Sequence, residues 1–448
     1  MPPLAQAVAS SGDPNLELML KVFPAIVVIL LTAGICGRLA LMVMQPRVLG
    51  EMVAGVLLGP TLFGALFPEA QKAIFPAEVR PILYVLSTIG LTLYMFLVGA
   101  GLDHGARVPG EERRAGLLAA SGVIPSLTLG VGAGLFLWGT LSRPDVSRVE
   151  FAFFVGGALS LTAFPMLARI LYERGLENTP PGRLSLLAAA VDDALAWCLL
   201  AVLTAVHLGS GLDDALQTIV LTAGFAVLML VVVRRLLRPL GREFARTGDL
   251  GPSAIYVVIL VPLMAGWLTD WIGVYAVFGG FLAGLAMPRD PAFREALHNR
   301  MMGVVSTLLL PVFFTFSGLN TDLGGISGGT MLLAFLAIMA AGFAGKYFGC
   351  AWSMRAMGFS WRESYAVGAL MNARGLMILI FINIGLFHGM ITQELFAMLV
   401  LVAIITTGSA LPLYKLALPE RLEPGRGPER REPAQEPSPD VSVAGPVQ

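Results

Sequence analysis

The chain has 448 residues, 30 basic and 30 acidic side chains, and a charged share of 13%, about half that of an ordinary soluble protein. Its apolar share is 56%, with 51 glycines besides, and its mean hydropathy is +0.77, so there is too little polar surface to cover a soluble core. Zero formal net charge argues against a nucleic-acid partner, three cysteines in apolar stretches argue against a disulfide scaffold, and four scattered histidines have no metal-ligand spacing.

Segments of roughly 20 mostly apolar residues follow one another along the chain. They predict an all-α polytopic membrane protein of thirteen spans, at about 18–42, 48–66, 81–101, 115–139, 151–172, 184–206, 216–238, 253–269, 272–288, 301–318, 331–354, 363–387 and 393–413. Residues 1–16 form a short outer N-terminus without the basic start of a secretory signal, so no cleavage is expected. Spans 8 and 9 are separated only by Thr269, Asp270 and Trp271. The membrane domain is expected over 17–415. Residues 416–448, rich in Pro, Glu, Arg and Gly, are expected to form a disordered cytoplasmic tail with no nucleotide-binding regulatory domain.

Orientation follows from the basic residues. The loops and helix ends after the odd-numbered spans through 11 carry eighteen Lys and Arg, whereas those after the even-numbered spans carry only Lys72, Arg80, Arg143 and Arg148. The positive-inside rule then places the N-terminus outside and the C-terminus in the cytoplasm, in a cell inner or plasma membrane. One missed span would invert every later loop, so the alternation supports the count itself.

Four charges fall inside spans: Asp192 and Asp193 in AAAVDDALAW, Lys346 in span 11 and Arg374 in span 12. A charge at the bilayer centre costs several kcal/mol and is seldom kept without a partner or a task. Counted at ~1.5 Å per residue from the nearest inner arginines, Asp192 and Lys346 lie about 14 Å deep and Arg374 about 18 Å. They share one layer and sum to zero. A structural ion-pair network is the rival explanation, but adjacent carboxylates repel, and such a network does not need both. Two neighbouring residues on a helix point ~100° apart. One acid can therefore take a fixed cation such as Lys346 while the other faces a water-filled cavity. Burial favours a protonated acid and a nearby cation favours an ionised one, so such a pair can choose between a proton and a small cation.

Two spans look broken at the same depth. In span 5, ALSLTAFPMLARIL, Pro165 removes an intrahelical hydrogen bond. In span 12, ALMNARGLMILI, Asn372, Arg374 and Gly375 accompany an unwound turn. Free backbone carbonyls at this depth are tolerated only beside protein or a wet cavity. The breaks lie seven spans apart in oppositely directed helices, as in an inverted repeat of spans 2–6 against 9–13 whose broken helices cross at the midplane. Glu51, close to the inner Arg47, reads as an interfacial acid, and Gly50, Gly55 and Gly59 suit close helix contact.

The motifs PRVLGEMVAGVLLGPTLFG, GLTLYMFLVGAGLD, ALSLTAFPMLARIL, VDDALAW, GVYAVFGGFLAGLAMP, LPVFFTFSGLNTDL and MNARGLMILI occur in this order between about residues 20 and 415. Together they resemble the monovalent cation:proton antiporters of the Kef- and CHX-like branch of the sodium/proton exchanger superfamily. The resemblance implies a homodimer with a static interface domain and a mobile core that works like an elevator. It matches Asp192 and Asp193 to the family's acids, Thr162 to Pro165 to its span-5 break, Lys346 to the span-11 lysine of the sodium/proton antiporters, and Arg374 to the arginine of the CHX-like branch. The paired acids are closer to the sodium/proton exchangers than to Kef members, which often carry a glutamine before the aspartate.

The expected activity is therefore exchange of a monovalent cation, sodium ahead of potassium, for protons, with no cofactor and no enzymatic chemistry. Asp193 is the expected cation and proton carrier, and Asp192 alternates between Lys346 and the cation. Thr162 and the carbonyls near Ala163 and Phe164 are expected to add neutral oxygen ligands, which suit a hard ion. The alternatives are a sodium-coupled organic-anion symporter and a potassium-efflux system on the same fold.

Overall fold

The computed structural model describes residues 13–101, 110–174, 176, 179–207, 211–326 and 328–418. The expected N-terminal segment and tail fall almost wholly outside these residues. Within them, every regular element is a helix. Ten helices are long and apolar enough to cross a membrane. Two interrupted helices and the short apolar Ala276–Leu285 make up thirteen crossings.

Helix α1 (Pro14–Met42) shows what solvates the exterior. Asp13 caps it by accepting from the Asn15 amide at 2.9 Å. Its buried face is mostly small residues, Ala25, Ala33, Gly37 and Ala40 among them, while Phe23, Val27, Leu31, Ile35 and Leu39 form an exposed apolar stripe at four-residue spacing. A helix apolar all round, with its large side chains outward, is built for lipid. Helix α2 (Arg47–Leu58) packs on α1 and on a later helix at 310–319, and a side chain at Gly55 or Gly318 would collide with the backbone of the other element. Helix α3 (Arg80–Gly101) completes the first group.

The next helices form a second group. Helices α4 (Glu111–Leu141), α5 (Arg148–Ser160), α6 (Phe164–Arg174) and α7 (Pro180–His207) pack on one another. Helices α8 (Gly211–Val227), α9 (Arg238–Thr247), α10 (Pro252–Ile272), α11 (Ala276–Leu285), α12 (Pro291–Val304) and α13 (Leu310–Leu319) follow, and α10 to α13 return to α3. Helices α14 (Gly329–Ala356), α15 (Trp361–Met371), α16 (Gly375–Phe387) and α17 (Gln393–Ala417) join the second group, which thus holds α4 to α7 and α14 to α17. Among the described residues, few side-chain bonds tie the groups together. Gln45 Nε2 donates to the Gly408 carbonyl at 3.1 Å, and Asn383 Nδ2 donates to Ser317 Oγ at 2.9 Å.

The boundary between spans 8 and 9 falls later than expected. Helix α10 runs through Thr269, Asp270 and Trp271 to Ile272 and ends at Gly273, which takes φ +94° and returns its N–H to the Asp270 and Thr269 carbonyls. Asp270 is no linker residue. Its carboxylate accepts from the Ala276 amide at 3.0 Å and so fixes the start of α11. Glu51, read as an interfacial acid, is buried within the protein, with Arg47 Nε 3.0 Å from it.

Candidate cation and proton site

Both expected interruptions are present, and they meet. Helix α5 ends at Ser160 and α6 begins at Phe164, leaving three residues outside helical geometry. Pro165 does not kink a continuous helix; it is the second residue of α6, where a missing N–H costs no helical bond. On the other side, Asn372 is the C-cap of α15, Arg374 precedes α16, and Gly375 opens α16 at φ +43°. A Cβ at Gly375 would lie 3.3 Å from the Cβ atoms of Ala163 and Met166, so the position requires glycine for both conformation and closeness. The Ala163 amide donates to the Ala373 carbonyl at 2.8 Å, joining the two breaks directly.

A broken helix exposes two opposite partial charges, negative at the end of the first half and positive at the start of the second. The side chains at the crossing match both. Lys346 Nζ donates to the Ser160 carbonyl at 2.6 Å, and Arg374 donates to the Leu159 and Gly342 carbonyls. The Phe164 amide, at the start of α6, faces Asp193 without meeting hydrogen-bond geometry.

Arg374 therefore departs from its expected part as a charge partner of the acids. It is wholly buried, and its partners are backbone carbonyls plus Asn372 Oδ1 at 3.3 Å. The physical reason is that α5 ends inside the protein, where its orphan carbonyls have no water to turn to.

The two acids have different surroundings. Lys346 Nζ stands 2.5 Å from Asp192 Oδ2, and Thr162 Oγ1 lies 2.8 Å from the same oxygen and 2.9 Å from the Met371 carbonyl. Asp192 Oδ1 and both oxygens of Asp193 are buried with no hydrogen-bond partner among the described residues. Asp193 is only 2% exposed, so this conformation is closed around it rather than open to the expected cavity. Of the expected neutral ligands, Thr162 touches Asp192, whereas the Ala163 carbonyl accepts from the Leu167 amide at 3.0 Å as part of α6. The charge count overlooked Thr407, whose hydroxyl accepts from the Gly375 amide at 2.8 Å. Its sequence signal was the polar pair Thr406 and Thr407 within a mostly apolar span.

Three unpartnered buried carboxylate oxygens beside a fixed ammonium group carry a desolvation cost that a small cation or a proton would relieve. The family model for the transmembrane part of sodium/hydrogen exchangers matches residues 26–414. The chain belongs to this family. The exchanger is 38% identical over 397 residues to the Na(+)/H(+) antiporter NhaS4 of Synechocystis sp., covering 88% of this chain and 96% of that one. It is 36% identical to Cation/H(+) antiporter 19 of Arabidopsis thaliana, covering 83% of this chain and 46% of that one. The exchanger thus spans about half the length of that relative. Among solved structures, the sodium proton antiporter MjNhaP1 from Methanocaldococcus jannaschii superposes with a TM-score of 0.61 at 14% identity, covering 90% of this chain and 97% of that one, which shows a shared fold. The exchanger is a multi-pass membrane transporter, not an enzyme.

Proposed function

We propose that the exchanger moves a monovalent cation against protons by alternating access, with Asp193 as the main carrier of either ion. The observation that carries this reading is the unpartnered, buried carboxylate of Asp193 beside an Asp192 already held by Lys346. An empty pair of ionised acids is too costly to move through a low-dielectric barrier, so each transit carries a cation or protons. Asp192 shares in cation binding when it leaves Lys346, and Thr162 supplies a neutral oxygen.

Sodium is the proposed substrate, supported by the paired acids, by oxygen ligands that suit a hard ion, and by the Na(+)/H(+) antiporter relative. Potassium is the second reading, because a relative from Saccharomyces cerevisiae, 29% identical over 86% of this chain and 45% of its own length, is named a K(+)/H(+) antiporter. For the moving part, the reading takes α4 to α7 and α14 to α17 as the mobile core and α1 to α3 with α10 to α13 as the static domain of a homodimer. Spans 2–6 and 9–13 form the inverted repeats, with the N-terminus outside and the C-terminus in the cytoplasm.

The test is cation-dependent recovery of a quenched pH dye in proteoliposomes, run with Na⁺, Li⁺ and K⁺ in turn. Recovery with sodium at lower concentration than with potassium supports the reading; the reverse order makes potassium the substrate. An organic-anion symporter would give no cation-driven pH change at all.

A further inference from the structure

Pro412 lies inside α17. In a regular helix the Gly408 carbonyl accepts from the N–H of residue 412, and proline has none. A carbonyl orphaned in this way within a membrane protein needs a donor from elsewhere. Gln45, in the turn between α1 and α2, supplies it: its Nε2 donates to the Gly408 carbonyl at 3.1 Å. Only the nitrogen end of a side-chain amide can donate to a carbonyl, so the chemistry fixes which end faces α17.

The turn aims this side chain. Met44 takes φ 57°, in the left-handed region that favours glycine. With Met44 so placed, the Gln45 amide closes the end of α1 on the Ala40 carbonyl at 2.9 Å. Pro46 follows, and a residue before proline is pushed to extended backbone. Gln45 is thus constrained from both sides. Across from it, glycine at 408 leaves room for the approach, since a Cβ there would lie 3.3 Å from Leu49 Cδ2 of α2. Lys415 Nζ of α17 stands 3.6 Å from Met44 Sδ.

Two further observations separate this contact from ordinary packing. It joins the two helix groups, which few side-chain bonds do among the described residues. The next residue, Thr407, accepts from the Gly375 amide at 2.8 Å, so the stretch of α17 that Gln45 grips also holds the second helix break at the ion site. The grip is weak enough to release. It is one neutral hydrogen bond, and the buried Oε1 of the same amide has no partner among the described residues.

We propose that Gln45 is a releasable latch between the static domain and the mobile core, gripping the carbonyl that Pro412 leaves free. The latch rests on the proposed division of the helices into those two parts. Each transit breaks the bond and hands the carbonyl to water, and the return remakes it.

The experiment uses the full chain in detergent with Cys36, Cys198 and Cys350 replaced and Leu49→Cys added. Leu49 is buried where α2 meets Gly408, so a thiol there reacts with a water-soluble reagent only while the contact is parted. With opening and closing fast relative to labelling, the labelling rate follows the open population. Gln45→Leu removes the donor, and Gln45→Glu keeps length and polarity but likewise has no N–H. Each is expected to speed labelling about five-fold, the worth of one such bond. Pro412→Ala returns the missing N–H to α17, and in that background Gln45→Leu is expected to add less than about two-fold. Unchanged labelling in both Gln45 variants overturns the latch, and an undiminished effect beside Pro412→Ala overturns the part given to the proline. The two Gln45 variants decide the matter even where Pro412→Ala folds poorly. In proteoliposomes, the cation that drives proton movement is expected to speed labelling of the Leu49→Cys chain with Gln45 intact. A chain that exchanges while its labelling stays constant overturns the latch's part in transport. A chain without cation-driven proton movement overturns the exchange reading alone, and the labelling in detergent still decides the latch.

Discussion

Lys346 and Asp192 meet at 2.5 Å with neither side chain exposing any surface, and the same ammonium group reaches the carbonyl that ends α5. One residue thus neutralises an acid and satisfies a helix end. Removing one partner of a buried ion pair leaves an uncompensated charge and is expected to cost about 3–5 kcal/mol. Lys346→Ala should therefore lower the unfolding temperature steeply. Asp192→Asn in the same background should restore part of the loss, and a double variant no more stable than Lys346→Ala would contradict the pairing.

Asp193 is expected to behave in the opposite way. Among the described residues its oxygens have no hydrogen-bond partner, so Asp193→Asn removes a buried carboxylate without breaking a bond. Thermal stability should hold or rise by up to about 1–3 kcal/mol, in line with the desolvation penalty removed. Cation-driven proton movement in proteoliposomes should disappear. Full exchange in a folded Asp193→Asn protein would refute its role as carrier.

Arg374 bonds two carbonyls from different helices, Leu159 on α5 and Gly342 on α14. Arg374→Met strands both, and each orphaned buried acceptor costs about 1–3 kcal/mol. Arg374→Lys has a single nitrogen in place of a fork and should recover only part of this. Unfolding temperatures of the two variants, compared with the wild type, decide it; equal values for all three would leave the helix-end role without support.

The contact between Asn383 on α16 and Ser317 on α13 crosses from the proposed mobile core to the proposed static domain. In a background with Cys36, Cys198 and Cys350 replaced, Asn383→Cys with Ser317→Cys should form a disulfide that stops exchange, and reductant should restore it. Exchange that continues with the bond intact would exclude sliding at this contact.

His388, in the turn after α16, titrates below the usual imidazole range because burial and the neighbouring His207 disfavour its charged form. The folded state then binds its proton less readily than the unfolded chain does. Stability from this group is complete above the unfolded imidazole pKa of about 6.5 and is lost as pH falls below it. Its ring packs edge to face on Tyr275 at 6.2 Å, and its carbonyl lies 2.8 Å from His207 Nε2, whose other ring nitrogen is 2.5 Å from Glu150. His388→Gln should flatten the fall in unfolding temperature between pH 7 and pH 5. An unchanged slope would place the titration elsewhere.

The sequence by itself determined the membrane class, the number of apolar segments, the presence of charges at four positions within them, Asp192, Asp193, Lys346 and Arg374, and the presence of two breaks. Each is fixed by quantities that run along one chain: hydropathy, and the proline, glycine and polar residues that interrupt an apolar run. Tertiary structure alone decided partners. It set Lys346 against both Asp192 and the Ser160 carbonyl, turned Arg374 from an expected acid partner into the stabiliser of the α5 carbonyl end, put Pro165 at the start of α6, and brought in Thr407 and Met371. Bond formation between side chains depends on which faces of separate helices come within about 3 Å, and one-dimensional spacing fixes position along a helix but not rotation about the bundle.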